Sequence, residues 1–134
     1  MSARSKEAGR RRPHVVIAHS DPAYSTGVAR AFRRFGWGVA HAVDGPEARR
    51  LATSLAADLV VLQADLPAES GWLTCAKLSA DRARTSVVLV TGQPVARDQQ
   101  FAAFAGAARL VTPEQGADPL LEEAGLAAPM AKVV

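Results

Sequence analysis

The sequence predicts an open α/β fold, a five-stranded parallel sheet with helices on both faces. Five short runs rich in Val, Leu and Ile punctuate the chain. They are continuous rather than alternating, as strands covered on both sides are. A helical pattern follows each run, and strict strand–helix alternation implies parallel pairing through right-handed crossovers.

The first strand is His14-Val15-Val16-Ile17-Ala18. Asp21 then offers an N-cap and Pro22 suits the first helical position. Val28, Ala31, Phe32 and Phe35 follow at i, i+3, i+4 and i+7, which predicts one buried helix face. Arg30, Arg33 and Arg34 lie off that stripe, on the solvated side. Gly36 is placed to stop the helix. Trp37 to Ala42 reads as a second strand, and Asp44-Gly45-Pro46 turns the chain into another helix. There Ala48, Leu51, Ala52 and Leu55 repeat the stripe. Leu59-Val60-Val61-Leu62 is the third strand, and Gly71 to about Leu78 a helix with Trp72 and Cys75 on one side. Ser86-Val87-Val88-Leu89-Val90-Thr91 is the fourth strand. The helix 96–105 is expected to bury Phe101 and Phe104. Strand 108–111 and a last helix, 119–127, close the fold.

At 134 residues the chain is long enough for one domain with a sizeable core. No apolar run approaches the ~20 residues that cross a bilayer, and the basic N-terminus lacks the apolar segment of a secretory signal. The expected compartment is the cytoplasm. The single Cys75 excludes an intrachain disulfide and a Cys-rich metal site, and reads as a small core residue. Residues 1–12 form a basic tail expected to be disordered, residues 13–127 the domain, and 128–134 a frayed C-terminus. Arg4, Lys6, Arg10, Arg11 and Arg12 stand against Glu7, leaving 11 basic and 12 acidic groups after residue 13. The basic character therefore belongs to the tail. Without interleaved aromatic residues the tail promises at most weak contact with nucleic acid.

The strand tips fall at His19-Ser20-Asp21, Gln63, Thr91-Gly92 and Thr112-Pro113. In an open α/β sheet such tips converge at the carboxyl edge, where ligands bind. The chemistry expected there is thin. Gln63 is a neutral amide and cannot serve as a carboxylate nucleophile. No Gly-rich phosphate loop follows the first strand. Adjacent His19 and Ser20 point apart in an extended segment, which argues against a triad with Asp21. His14, His19 and His41 have no metal-ligand spacing, and His14 and His41 read as hydrogen-bonded structural residues at strand edges. No cofactor and no metal is expected.

Several pieces match one family in order and spacing: Val15–Ala18 with Pro22; Asp44-Gly45-Pro46-Glu47-Ala48; Asp58 to Leu62; Leu66-Pro67 with Gly71; Val87 to Gly92; and Gly106 to Pro113. Together they resemble the response-regulator receiver domain, the CheY-like or flavodoxin-like fold, across nearly the whole chain outside the tail. The resemblance implies a (βα)5 sheet in the strand order 2-1-3-4-5. It places an acidic Mg²⁺-binding pair where His19 and Ser20 stand, with Asp21 one place later. It places the phosphate-accepting Asp at Gln63, a conserved hydroxyl at Thr91, a Lys at Thr112 and an aromatic switch residue at Arg109. Of these, Thr91 alone matches. The expectation is a degenerate member with no catalytic residue, whose pocket (His19, Ser20, Asp21, Gln63, Thr91, Thr112) is closed and neutrally hydrogen-bonded.

The function expected on that basis is phosphorylation-independent protein interaction in two-component-type signalling. The protein partner would dock on helix 96–105, strand 108–111 and the last helix, with Arg109 either pairing to the partner or bonded to a neighbouring acid. A homodimer is a further expectation. A small-molecule sensor, or phosphorylation at a non-standard residue such as Asp65 or His19, are the alternatives. No output domain is recognisable, so an effector would act in trans or the chain is part of a larger regulator.

Overall fold

Val15, Val16, Val60, Val61, Val88 and Leu89 are all essentially inaccessible to solvent, because their strands are covered on both sides. The computed structural model describes residues 11–81 and 84–126. The strands are β1 (His14–Ala18), β2 (Gly38–His41), β3 (Leu59–Gln63), β4 (Ser86–Val90) and β5 (Arg109–Val111). All pairings are parallel and the order is β2-β1-β3-β4-β5. The five helices are α1 (Pro22–Arg34), α2 (Gly45–Leu55), α3 (Gly71–Asp81), α4 (Ala96–Ala105) and α5 (Asp118–Glu123). This is the CheY-like fold expected from the sequence.

The alternation of strand side chains divides the core in two. Val15, Ile17, Val61 and Val88 meet Val28 and Phe32 of α1 and Leu120 of α5. Val16, Val60, Leu62 and Leu89 meet Ala48 and Ala52 of α2, Cys75 and Leu78 of α3, and Ala102 of α4. The expected caps form. Asp21 Oδ1 accepts the Ala23 N–H at 3.0 Å, and Asp44 Oδ1 accepts the Glu47 N–H at 2.8 Å. Glu47 Oε1 reaches back past the cap and accepts the Val43 N–H at 2.7 Å, which fixes the chain's entry to the helix.

Several expectations are corrected. Phe35 leaves the α1 stripe, because the helix ends at Arg34 and Gly36 turns the chain at φ +83°. Its ring is 48% exposed. Trp37 lies just before β2, buried edge-on against Phe32. Strand β5 starts at Arg109, one residue late. A 3₁₀ turn at Pro113–Gln115, missed in the sequence, precedes α5, which ends at Glu123. The largest difference lies in α4. Phe101 and Phe104 are 56% and 92% exposed, and the small Ala102 faces the core instead. A small residue lets the helix lie close on the sheet, which turns the two rings outward. Residues 1–10 and 128–134 of the expected tails, and Ala127 at the expected end of the last helix, lie outside the described residues. Arg11, assigned to the N-terminal tail, donates from Nη2 to the Leu55 carbonyl at 3.0 Å.

Gly71 fixes how α3 leaves the β3 tip. Its N–H donates to Ala64 O at 2.9 Å, and a Cβ there would overlap the Gln63 carbonyl oxygen. Backbone cannot swing aside as a side chain does. Gly71→Ala is expected to cost about 1–3 kcal/mol, as overpacking does. A urea midpoint equal to the parent's would show that the loop accommodates the methyl.

Candidate functional site

The sheet register assembles the expected residues at one edge. Ala18 pairs with Leu62, Gln63 with Val90, and Val90 with Val111. His19, Gln63, Thr91 and Thr112 therefore end or follow neighbouring strands along the carboxyl edge. Thr91 N donates to Val111 O at 2.9 Å, which holds the last two tips together.

Within this cluster Gln63 makes the connecting bond. Its Oε1 accepts the backbone N–H of Ser20 at 2.7 Å. The amide thus tethers the β1 loop to β3. The rest of the expected neutral network is not there. The Asp21 N–H donates to His19 Nδ1 at 3.1 Å, and the Thr112 N–H turns away to Gln115 Oε1 at 2.9 Å. At His19 and Thr112 the chain closes its own turn instead of reaching across, because local bonds involve less loop ordering.

His19 lies with its ring 4.5 Å from that of Tyr24, tilted by 42°. Burial lowers the His19 pKa, and Asp21 offsets part of that shift. The imidazole is therefore neutral at neutral pH. Burial pushes the Tyr24 phenol up to about 12, so it stays protonated. Tyr24 is a site residue that the sequence reading missed; its position three residues past Asp21 and five past His19 was the available signal.

A cleft of about 470 Å³ runs beside the edge, with His19, Ser20, Ser25, Thr26, His41 and Pro67 in its walls; Gln63, Thr91 and Thr112 do not line it. A divalent cation does not fit this donor set. Asp21 is the one carboxylate at the β1 tip, and its Oδ1 already caps α1. Among the described residues no three His, Cys, Asp or Glu side chains come together as a metal cage requires. Asp65 is exposed, two residues beyond β3.

Below this edge lies a group the sequence reading passed over. Glu69 is 7% exposed at its side chain. It accepts from Arg49 Nε at 3.1 Å, Thr74 Oγ1 at 2.8 Å and Lys77 Nζ at 2.6 Å. Burial alone would raise its pKa; the bonds from Lys77, Arg49 and Thr74 outweigh burial and bring it down to about 2. Gly45 lies against this cluster, since a Cβ there would overlap the Thr74 hydroxyl.

At the opposite end of the surface, Arg109 is engaged within the chain. Its Nε donates to Glu123 Oε1 at 2.9 Å and its Nη1 to Glu122 Oε1 at 3.1 Å. The expected alternative of a bond to a neighbouring acid is the one found, and it ties β5 to α5. Of the other histidines, His14 has a buried Nδ1 with no hydrogen-bond partner among the described residues, and its ring packs over Gly38. That departs from the expected hydrogen-bonded role. Cys75 is buried as expected, donating to Ala105 O at 3.4 Å, and burial raises its thiol to about 11.

The response regulator receiver domain is the family whose pattern matches this chain, over residues 15–124. The chain belongs to that family. As a receiver domain it is a module of two-component signalling rather than a classical enzyme. A stretch of 69 residues is 36% identical to the DNA-binding dual master transcriptional regulator RpaA of Synechocystis sp. (strain ATCC 27184 / PCC 6803 / Kazusa). That match covers 52% of this chain and 29% of the relative, so less than a third of the relative's length is represented. The fold is similar to that of the Vibrio cholerae chemotaxis protein CheY4, with TM-score 0.75 and 17% identity over 85% of this receiver domain's chain and 97% of the other. It is also similar to a response regulator protein from Burkholderia pseudomallei solved with a phosphorylated aspartic acid, calcium ion and citrate. There the TM-score is 0.73 and the identity 21%, over 91% of this chain and 70% of that one. At such identities the likeness shows the fold alone. Among the described residues no helix of the receiver domain is long and apolar enough to cross a membrane.

Proposed function

We propose that this receiver domain is degenerate and works without phosphoryl transfer, as a protein-interaction module in two-component-type signalling. The observation that carries the reading is Gln63. The β3 tip holds an amide whose oxygen is already bonded to Ser20 N at 2.7 Å. An amide oxygen does not form an acyl phosphate; among the described residues the strand tips offer no carboxylate cage for a cation, and Thr112 rather than a Lys follows β5, so little there offsets the charge of a transferring phosphoryl group. With neither phosphate nor metal to favour a second state, the domain has one resting conformation. The Arg109 bonds to Glu122 and Glu123 hold the β5–α5 part of the surface in that state.

Incubation of the protein with Mg²⁺ and a small phosphodonor, followed by intact mass, tests this. The expected spectrum is unchanged. A phosphoryl adduct on any residue, Asp65 and His19 included, overturns the reading.

The open cleft favours a second reading, a small-molecule sensor. Its volume of about 470 Å³ is within the usual range for ligand sites, and His19, His41, Ser25 and Thr26 supply polar groups. Filling it with Thr26→Trp separates the two. Partner binding that survives the substitution supports the first reading, and loss of a ligand response in a folded protein supports the second.

A further inference from the structure

We infer that the face formed by α3 and α4 is a self-association surface, on which a second copy of this chain docks about a two-fold axis. The inference deepens the reading above by naming a partner, and rests on it only in requiring no phosphoryl group.

Leu73 is 48% exposed, Phe101 56% and Phe104 92%. Trp72 meets Phe101 edge-on, with ring centroids 6.3 Å apart. These four side chains, with Ala76 and Arg97, line a depression of about 710 Å³ between the two helices. Large contiguous apolar patches of this kind mark interaction sites.

The pattern along α4 is what selects a second copy. Arg97, Phe101 and Phe104 recur at i, i+4 and i+7, so they share one helix face. Pair two such helices antiparallel about an axis near Phe101. Arg97 of each protomer then lies over Phe104 of the other, and the two Phe101 rings meet at the axis. Each contact occurs twice, as an isologous interface demands. A guanidinium over an aromatic face is favourable. Arg97 is available for this, since it forms no hydrogen bond or ion pair among the described residues. The neighbouring Asp98 forms no ion pair with it; its Oδ2 accepts the Val95 N–H at 2.9 Å. Net repulsion does not oppose the approach either, with 11 basic and 12 acidic groups beyond residue 13. This surface shares α4 with the expected docking surface but leaves out β5 and α5, which Arg109 joins.

Sedimentation of the full, unphosphorylated chain over a range of concentrations tests the inference. The expected result is a concentration-dependent dimer. Phe104→Lys sets a cation opposite Arg97 and weakens association by about tenfold or more, the effect of losing a central aromatic anchor. Combining Phe104→Lys with Arg97→Asp restores association through a swapped ion pair. Phe104 is so exposed that both proteins keep the parent's thermal midpoint when all are diluted to the monomer. A monomer at every concentration, a dimer indifferent to Phe104→Lys, or no rescue by the double variant overturns the inference. A phosphoryl adduct in the mass experiment with the dimer intact would instead overturn only the functional reading.

Discussion

Replacing Glu69 with Gln is expected to lower stability at neutral pH by about 2–3 kcal/mol, and by progressively less in acid. Gln keeps the shape and an acceptor for Thr74, so the loss reports the charge. In the folded protein the Glu69 pKa falls from its ordinary 4.5 to about 2. A depressed carboxylate contributes stability above its unfolded pKa and loses it as pH falls through the folded one. The full contribution is therefore present above about pH 4.5 and fades toward pH 2. A shift of this size corresponds to roughly 3 kcal/mol at most. Arg49 and Lys77 are 32% and 44% exposed, so water screens part of that. The cluster ties α2, through Arg49, to the loop after β3 and to α3, through Thr74 and Lys77. Urea unfolding of parent and Glu69→Gln at pH 7, 4 and 2 reads the difference directly. Equal midpoints at pH 7, or a gap that persists undiminished at pH 2, would show that the carboxylate does not hold these elements together.

This cluster also marks where the sequence stops being legible. The strands and caps were readable because their signals are local. Apolar runs, Asp21-Pro22 and Asp44-Gly45-Pro46 each state a conformation within a few residues. The carboxyl-edge residues followed, since strand tips in a parallel sheet must share an edge. Glu69 has partners 20, 5 and 8 residues away, on two helices and of three chemistries. No short pattern encodes that meeting. Tyr24 against His19 is similar, set by the angle at which α1 leaves β1. In α4, the sequence Ala96-Arg97-Asp98-Gln99-Gln100-Phe101-Ala102-Ala103-Phe104-Ala105 offers no single apolar stripe. Hydrophobicity alone favours burying the two rings. The space between α4 and the sheet favours Ala102, and packing decides the outcome.

Gln63→Asp alone is not expected to yield a phosphorylatable protein, whereas Gln63→Asp combined with His19→Asp, Ser20→Asp and Thr112→Lys is. The single change restores a nucleophilic carboxylate and removes the amide that accepts Ser20 N. It supplies nothing to bring a dianionic donor close to an anion. The capped Asp21 is a poor ligand by itself, because a small hard cation keeps its water unless several carboxylate oxygens replace it. The fourfold change adds those oxygens and a Lys at the β5 tip, so the charge that develops on the transferring group is met by metal and ammonium. It also crowds carboxylates at one edge, and their repulsion weakens the apo fold. Mg²⁺ relieves that repulsion by binding the folded state alone. At a hundredfold excess over its dissociation constant it returns about 2.7 kcal/mol. Two readouts follow for the fourfold variant, a phosphoryl adduct by intact mass and a thermal midpoint that rises with Mg²⁺. Parent and single variant should show neither. An adduct on Gln63→Asp alone would mean that the surviving Thr91 and the local backbone suffice, and that this edge lost only its acceptor rather than the electrostatics that make an acceptor work.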